Sequence, residues 1–235
     1  MSKAGGKLFG CATAAGPAFE GSGLLAGTRA QAGAISHVKL SPAPLAFEFE
    51  SIGGSAPEQA PGLCGTAYVD FLAEARRNGL LLEMGRFDPV VWAQLPAAWR
   101  AETGEGRTLR LVGDLCISEV DIAQLLQAKA AIGAGIETLL RVAGLKAADV
   151  GKVYLAGGFG LFIDVGHAIA IDLLPGFRAE QVRVVGNSSL GGAVLATLDG
   201  TVVSGIEALR ADIQIVELNQ DPGFEDSYLD HLALP

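Results

Sequence analysis

Two strand–glycine–helix turns constrain the fold of this chain more than any other feature. The short apolar run 152–156 leads into Gly157-Gly158-Phe159-Gly160, and a predicted helix follows. The same order recurs at once, because the run 181–185 leads into Gly186-Asn187-Ser188-Ser189 and then a second predicted helix. Strands that alternate with helices are typical of βα units. We therefore predict an α/β chain with a largely parallel sheet.

The two turns are also the first candidates for a ligand-binding site. Ligands of open α/β sheets bind outside the carboxyl ends of the strands. Glycines let the backbone approach a flat or anionic ligand, and helix N-termini offer free amides. A glycine-rich turn is often only a tight connection, however. Two such turns at neighbouring strand ends favour a binding site but identify no substrate.

Patterns elsewhere predict the remaining elements. A turn at Gly5-Gly6 indicates a hairpin, and Ser118 to Asp121 forms a capping box that opens the clearest helix. The predicted ranges are strands over 7–13, 40–52 and 213–218, helices over 65–78, 118–143, 164–173 and 190–198, and a loop or excursion over 86–108.

Lys129 stands out on the clearest helix. It lies seven residues after Ile122 and seven before Ile136, in the middle of the apolar row. A lysine in that place must extend to solvent, pair with an acid, or reach into a site. Spacing alone leaves these alternatives open.

Other polar residues have both structural and functional interpretations. Glu20, in the turn that follows the first strand, either faces a cleft or begins a solvated turn. Thr66 is predicted to cap the helix that begins nearby. The histidines His37, His167 and His231 are scattered without metal-ligand spacing, so each is expected to be a surface or helix-cap residue.

Composition excludes several classes of protein. The net charge of -9 argues against nucleic-acid binding, which requires a clustered basic face. No apolar run approaches the roughly 20 residues of a membrane span, and the N-terminal run has no apolar signal segment. Cys11, Cys64 and Cys116 are too far apart for a zinc or iron–sulfur site, which favours a reducing, cytoplasmic location.

Many runs of this chain also occur, in the same order, in one known family. The matching runs are 11–21 (Cys-Ala-Thr-Ala-Ala-Gly-Pro-Ala-Phe-Glu-Gly), 27–30, 33–35, 62–66, 127–132, 154–160, 185–193 and 217–224. Together they resemble the C-terminal domain of the reductive activators of corrinoid proteins. The resemblance covers nearly the whole chain.

The resemblance implies an actin-like (ribonuclease H-like) ATPase fold of the acetate/sugar kinase, heat-shock and actin superfamily. Members of the family use ATP to return Co(II) corrinoid proteins of methyltransferase systems to Co(I). Their cofactors are ATP or ADP with Mg²⁺, and the electron enters through an iron–sulfur domain. The implied partner is a corrinoid protein.

The resemblance also implies roles for particular residues. Gly157, Gly158, Phe159 and Gly160 resemble the turn that contacts adenosine. Gly186, Asn187 and Ser188 resemble the segment that connects the two lobes, and Lys129 would lie near the adenine or ribose. Glu20 is included among the candidate nucleotide-binding residues, and no catalytic residue or metal ligand is assigned.

The sequence departs from the family in one respect. The family has two Asp-x-Gly phosphate loops before the run at 11–21, whereas this chain begins inside the second hairpin. Asp199-Gly200-Thr201 follows a helix, which is the wrong side of a strand for a phosphate loop. We therefore expect only the second lobe over 1–218, with a packed tail over 219–235. This half would bind adenosine without hydrolysing ATP, and its N-terminal lobe and iron–sulfur domain would be separate partners.

Two other functions remain open at this point. The chain is alternatively a docking module that binds a corrinoid or methyltransferase protein without nucleotide, or an activator of another low-potential metalloenzyme. A docking module has no need of the paired glycine turns. The sequence also leaves open whether the chain forms a homodimer.

Overall fold

The computed structural model of the chain describes residues 2–42 and 44–235. Residue 1 belongs to the N-terminal run and residue 43 to the predicted strand 40–52, and both lie outside the described residues. The described residues form ten strands: β1 Ser2–Ala4, β2 Lys7–Gly10, β3 Ile35–Pro42, β4 Leu45–Ser51, β5 Arg100–Thr103, β6 Gly106–Val112, β7 Leu115–Ser118, β8 Val153–Ala156, β9 Val182–Gly186 and β10 Ile213–Ile215.

The same described ranges contain eight α-helices: α1 Gly65–Arg77, α2 Pro89–Gln94, α3 Glu119–Val142, α4 Gly158–Phe162, α5 Val165–Ala170, α6 Ser188–Leu198, α7 Gly200–Asp212 and α8 Phe224–Asp230. The predicted helices at 65–78 and 118–143 are confirmed within one or two residues. The helix predicted at 164–173 ends earlier, at Ala170.

Helix α1 lies at the centre of the core. Eleven of its 13 residues are buried, including Tyr68 and Phe71, which are fully enclosed. It packs against β3 on one side and against α4 and α5 on another. A helix enclosed around most of its circumference belongs to the interior rather than the surface, so α1 positions the elements around it.

Strands β8 and β9 form the parallel pair that the glycine pattern predicts. Val153 pairs with Val182, and Leu155 pairs with Val184. Just beyond the strands, the amide of Gly157 donates to the carbonyl oxygen of Gly186 at 2.8 Å. The two glycine turns are therefore neighbours at one edge of the sheet.

The expectation of a largely parallel sheet is wrong for the described residues. They form four small sheets, in which only β2 with β10 and β8 with β9 are parallel. The others are antiparallel hairpins: β1–β2, which confirms the turn at Gly5-Gly6, together with β3–β4 and β5–β6–β7. Strand β3 was missed, because its first residues do not alternate cleanly between apolar and polar.

Two other segments differ from the prediction. The range 86–108, predicted as a loop or excursion, contains α2, β5 and the start of β6. Helix α7 was not predicted, and its N-cap is Asp199, whose carboxylate accepts from the amide of Thr201 at 2.9 Å. Asp199-Gly200-Thr201 is therefore a helix start and not a phosphate loop.

Helix α3 begins with the predicted capping box. The Ser118 hydroxyl accepts from the amide of Asp121 at 3.1 Å, and Asp121 accepts from the amide of Ser118 at 2.8 Å. The other carboxylate oxygen of Asp121 accepts from the amide of Leu25 at 2.9 Å. One buried carboxylate thus fixes both the start of the helix and the loop before β3.

We expect Ser118→Ala to lower the free energy of unfolding by about 1 kcal/mol, because the helix loses one cap. Asp121→Ala should lower it by about 2 kcal/mol, since the backbone amides of Ser118 and Leu25 both lose their acceptor. Urea unfolding followed by circular dichroism measures both. Equal losses for the two variants would contradict the double role of Asp121.

Candidate functional site

A largely apolar cleft of about 610 Å³ opens where three glycine-containing segments meet. Its lining includes Phe19 and Glu20 from the turn after β2, Gly65 at the start of α1, and Gly158 and Phe159 after β8. These segments are far apart in the sequence. The structure therefore brings Glu20 and the first glycine turn to one site.

The first wall depends on a glycine at the start of α1. A Cβ atom at residue 65 would overlap the carbonyl oxygen of Phe19 and lie 2.8 Å from the Phe159 ring. Only glycine permits this approach. The rings of Phe19 and Phe159 lie 5.6 Å apart in a tilted arrangement, which closes the apolar end of the cleft.

The second wall is the turn after β8. Gly157 has a φ of 102°, in a region that side-chain-bearing residues rarely adopt. Gly158 has no atom within 4 Å of the position that a Cβ would take, so its backbone faces open space. A Cβ at Gly160 would lie 2.7 Å from Cγ of Leu155, so that glycine is needed for packing.

The second glycine turn lies beside the cleft and does not line it. Gly186 is tied to Gly157 by the hydrogen bond between their backbones. The Asn187 side chain accepts from the amide of Leu190 at 3.0 Å and so caps α6, whose first residue is Ser188. Gly186 therefore supports the turn beside the cleft, and the connecting role that the resemblance implies for Gly186, Asn187 and Ser188 stays a prediction.

The prediction that Lys129 projects into this site is wrong. Its side chain is fully buried, and its ammonium donates to the carbonyl oxygens of His231 and Ala233, each at 2.6 Å. Burial lowers the pKa of Lys129 to about 8, against the opposing charge of Asp172. The apolar row of α3 faces the C-terminal tail here, and spacing along a helix does not reveal what packs on it.

Three further expectations are corrected by the hydrogen bonds. Thr66 is not the N-cap of α1; Cys64 holds that position, and the Thr66 hydroxyl donates to the carbonyl oxygen of Ser36 at 2.7 Å. His231 is buried between Asp172 and Glu137, and His167 lies between two buried carboxylates. The positions of the histidines along the sequence did not predict these contacts.

Arg29 is a lining residue that sequence reasoning did not single out. It belongs to the run Gly27-Thr28-Arg29-Ala30, which resembles the family but has no pattern that indicates a binding residue. It stands with Glu20 as one of the two charged side chains of the cleft.

The chemistry of the lining suits a nucleoside better than a metal ion. Apolar rings and open glycine backbone match a flat base, and Glu20 offers an acceptor for sugar hydroxyls. A Mg²⁺ ion takes several oxygen ligands, and Glu20 is the one carboxylate of this lining. Among residues 2–42 and 44–235 no group of three or more His, Cys, Asp or Glu side chains is arranged to hold a metal ion.

Comparisons with known proteins place the chain in a family. The family model described as "C-terminal domain of RACo the ASKHA domain" matches residues 2–235. A solved structure, "Reductive activator for corrinoid,iron-sulfur protein", superposes with a TM-score of 0.86 at 35% identity, over 96% of this chain and 36% of that one. The chain belongs to the family of C-terminal ASKHA, or actin-like, domains of corrinoid activators.

Two curated relatives agree with this membership. The corrinoid activation enzyme RamQ of Eubacterium limosum is 32% identical over 95% of this chain and 39% of its own length. The "[Co(II) methylated amine-specific corrinoid protein] reductase" of Methanosarcina barkeri is 27% identical over 80% of this chain and 35% of its own length. This chain therefore spans little more than a third of each relative.

We expect Lys129→Met to lower the free energy of unfolding by about 2 to 3 kcal/mol, because two tail carbonyls lose their donor. Urea unfolding measures the loss. Lys152→Met, at an exposed lysine, is the control and should change stability by no more than about 0.5 kcal/mol. If Lys129→Met left stability unchanged but weakened ADP binding, the result would support the prediction that Lys129 contacts the nucleotide.

Proposed function

We propose that this chain is the adenosine-binding part of an ATP-dependent activator that returns Co(II) corrinoid proteins to Co(I). The observation that carries the proposal is the cleft in which Gly158 presents open backbone beside the Phe19 and Phe159 rings. The relatives, a corrinoid activation enzyme and a Co(II) corrinoid protein reductase, support a corrinoid protein as the target of activation.

In this proposal the residues of the chain bind and orient the nucleoside. Phe159 and Phe19 exclude water from the base, Gly157 and Gly158 let the backbone approach the sugar, and Glu20 accepts from its hydroxyls. Gly186, Asn187 and Ser188 hold the edge of the turn through the Gly157–Gly186 hydrogen bond. Mg²⁺, when bound with the nucleotide, neutralises phosphate charge.

We further propose that hydrolysis requires residues outside this chain. The chain covers 35–39% of its relatives, and Glu20 alone does not form a magnesium site. The phosphate-positioning acids and the iron–sulfur cluster would belong to the rest of the activator. Binding without hydrolysis is therefore the expected property of this chain.

Exposed apolar side chains support the proposal that another part of the activator packs against this chain. Helices α6 and α7 have no buried residue, although α6 is strongly apolar. We call the following exposed residues the open face: Tyr154, Leu161, Phe162, Val184, Val185, Leu190, Val194, Leu195, Leu198, Val203, Ile206, Leu209 and Ile215. On α6, Leu190, Val194 and Leu198 are spaced by four residues and share one exposed helix face, and an uncovered apolar face of this kind is typical of an interface. We propose that the upstream part of the activator covers it.

The proposed location is the cytoplasm. The described residues contain no helix that is long and apolar enough to cross a membrane. Cys11, Cys64 and Cys116 are all free thiols, which favours a reducing compartment.

Gly158→Val should weaken ADP binding at least about tenfold, because the new side chain would occupy the cleft without a clash that disturbs the fold. Calorimetric titration of the chain, alone and with the upstream part of an activator of this family, measures the affinity. Gly151→Val is the matched control, because residue 151 is exposed and its Cβ also meets no atom.

Absence of ADP binding in the reconstituted pair would refute the proposal. Capture of a corrinoid protein that responds neither to nucleotide nor to Gly158→Val would instead favour the nucleotide-independent docking module.

Leu195→Asp should weaken association with the upstream part about tenfold or more, because it places a charge in a buried apolar contact. Leu229→Asp is the control: both leucines are 57% exposed, but Leu229 lies on α8, outside the open face. Sedimentation velocity measures association. Self-association of the chain that is abolished by Leu195→Asp would show that a second copy covers the face.

A further inference from the structure

One imidazole bridges two buried carboxylates behind the cleft. Nδ1 of His167 lies 2.7 Å from Oδ1 of Asp70, and its Nε2 lies 3.2 Å from Oε1 of Glu74. The two acids are one helical turn apart on α1, and each side chain is only 3% exposed. The bridge therefore connects α5 to the most buried helix of the protein.

The bridge requires a particular protonation state. A neutral imidazole has one N–H and one lone pair, so it can donate to one carboxylate only. An imidazolium donates from both nitrogens, to Asp70 and to Glu74, whose Oε1 also accepts from Nη2 of Arg77 at 2.5 Å. The hydrogen bond to Asp70 raises the pKa of His167, and burial opposes the rise.

Both carboxylates are held in place from their other side. Oδ2 of Asp70 accepts from Nδ1 of His37 at 2.8 Å and from the amide of Val38 at 3.3 Å. Oε2 of Glu74 accepts from the amide of Leu40 at 3.1 Å. The acids therefore form an acceptor pair on α1 that is held in place by donors on β3.

The bridge joins the two helices that are continuous with the walls of the cleft, although its own residues line a separate groove. Helix α5 follows directly on the turn Gly157–Gly160 and α4, whereas α1 begins at Gly65, against Phe19 and Phe159. We infer that His167 is a positioning residue of the cleft: as an imidazolium it ties α5 to α1, and its deprotonation releases the glycine turn from the opposite wall. The effect on nucleotide affinity rests on the proposed function.

Several other charges surround His167. The groove beside it is also lined by His37, Lys39, Glu48, Glu50, Arg77 and Asp164, and the turn Ala179–Gln181 that packs on α5 carries Glu180. The charges that act on the pKa of His167 are those of Asp70, Asp164 and Glu74, and all three raise it.

The direction of the pH dependence follows from the raised pKa. The bridge contributes fully below the ordinary histidine pKa of about 6.5 and is lost as the pH rises through the higher folded value. Protection of residues 157–163 from amide hydrogen exchange should fall about tenfold between about pH 6 and about pH 9, after correction for intrinsic exchange.

The test compares the full chain with His167→Gln and His231→Gln, without nucleotide. His167→Gln should lose the pH dependence at 157–163 and show low protection throughout. His231, in the C-terminal tail, also bridges two carboxylates, those of Glu137 on α3 and Asp172 just after α5. His231→Gln should therefore keep the pH dependence at 157–163 and lose protection in the tail and around Asp172.

The inference is overturned if His167→Gln and the unmodified chain share one pH profile at 157–163. If His167→Gln does not fold, the pKa of the His167 imidazole is measured by NMR in the unmodified chain. A pKa at or below about 6.5 overturns the inference. A parallel ADP titration should weaken as His167 deprotonates. Failure to bind ADP at any pH would refute the proposed function. The hydrogen-exchange profile at 157–163 would then still test the role of His167.

Discussion

The burial of α1 is the constraint on which the rest of the structure depends. Its first residue, Gly65, forms one wall of the cleft because Phe19 and Phe159 approach it too closely for a side chain. Farther along the helix, Asp70 and Glu74 accept from the amides of Val38 and Leu40 on β3. Carboxylates so far from water must be paired, and this need draws β3 and α5 onto the same helix.

The open face indicates where this chain would associate with the rest of a larger activator. Strand β10 pairs in parallel with β2, so residues from both ends of the sequence share one small sheet. Helices α6 and α7 lie between β9 and β10 and bury none of their residues within the chain. The cleft is built beside the buried helix α1, whereas α6 and α7 present apolar side chains to solvent. Burial of such surface drives association, so in our proposal the elements next to the cleft also join this chain to the rest of the activator.

Regular local signals made much of the fold predictable. The capping box marked the start of α3, Gly-Leu-Cys-Gly-Thr preceded α1, and the glycine turns after β8 and β9 were found where expected. The range 86–108 and α7 were missed, because short elements with mixed polarity carry little periodicity. The candidate site was predicted in part: Glu20, Gly158 and Phe159 line the cleft, whereas Arg29 was missed.

The sequence by itself determined the family, the α/β class and the places where backbone without side chains is required, because motifs and glycines are local properties. Only the tertiary structure decided the partners of its buried charges. Lys129 binds the carbonyls of the tail, His167 bridges Asp70 and Glu74, and neither pairing follows from spacing along a helix. Such contacts join residues about a hundred positions apart. They form because an ionised group in the core must find whichever oppositely charged or polar group the packing brings within reach.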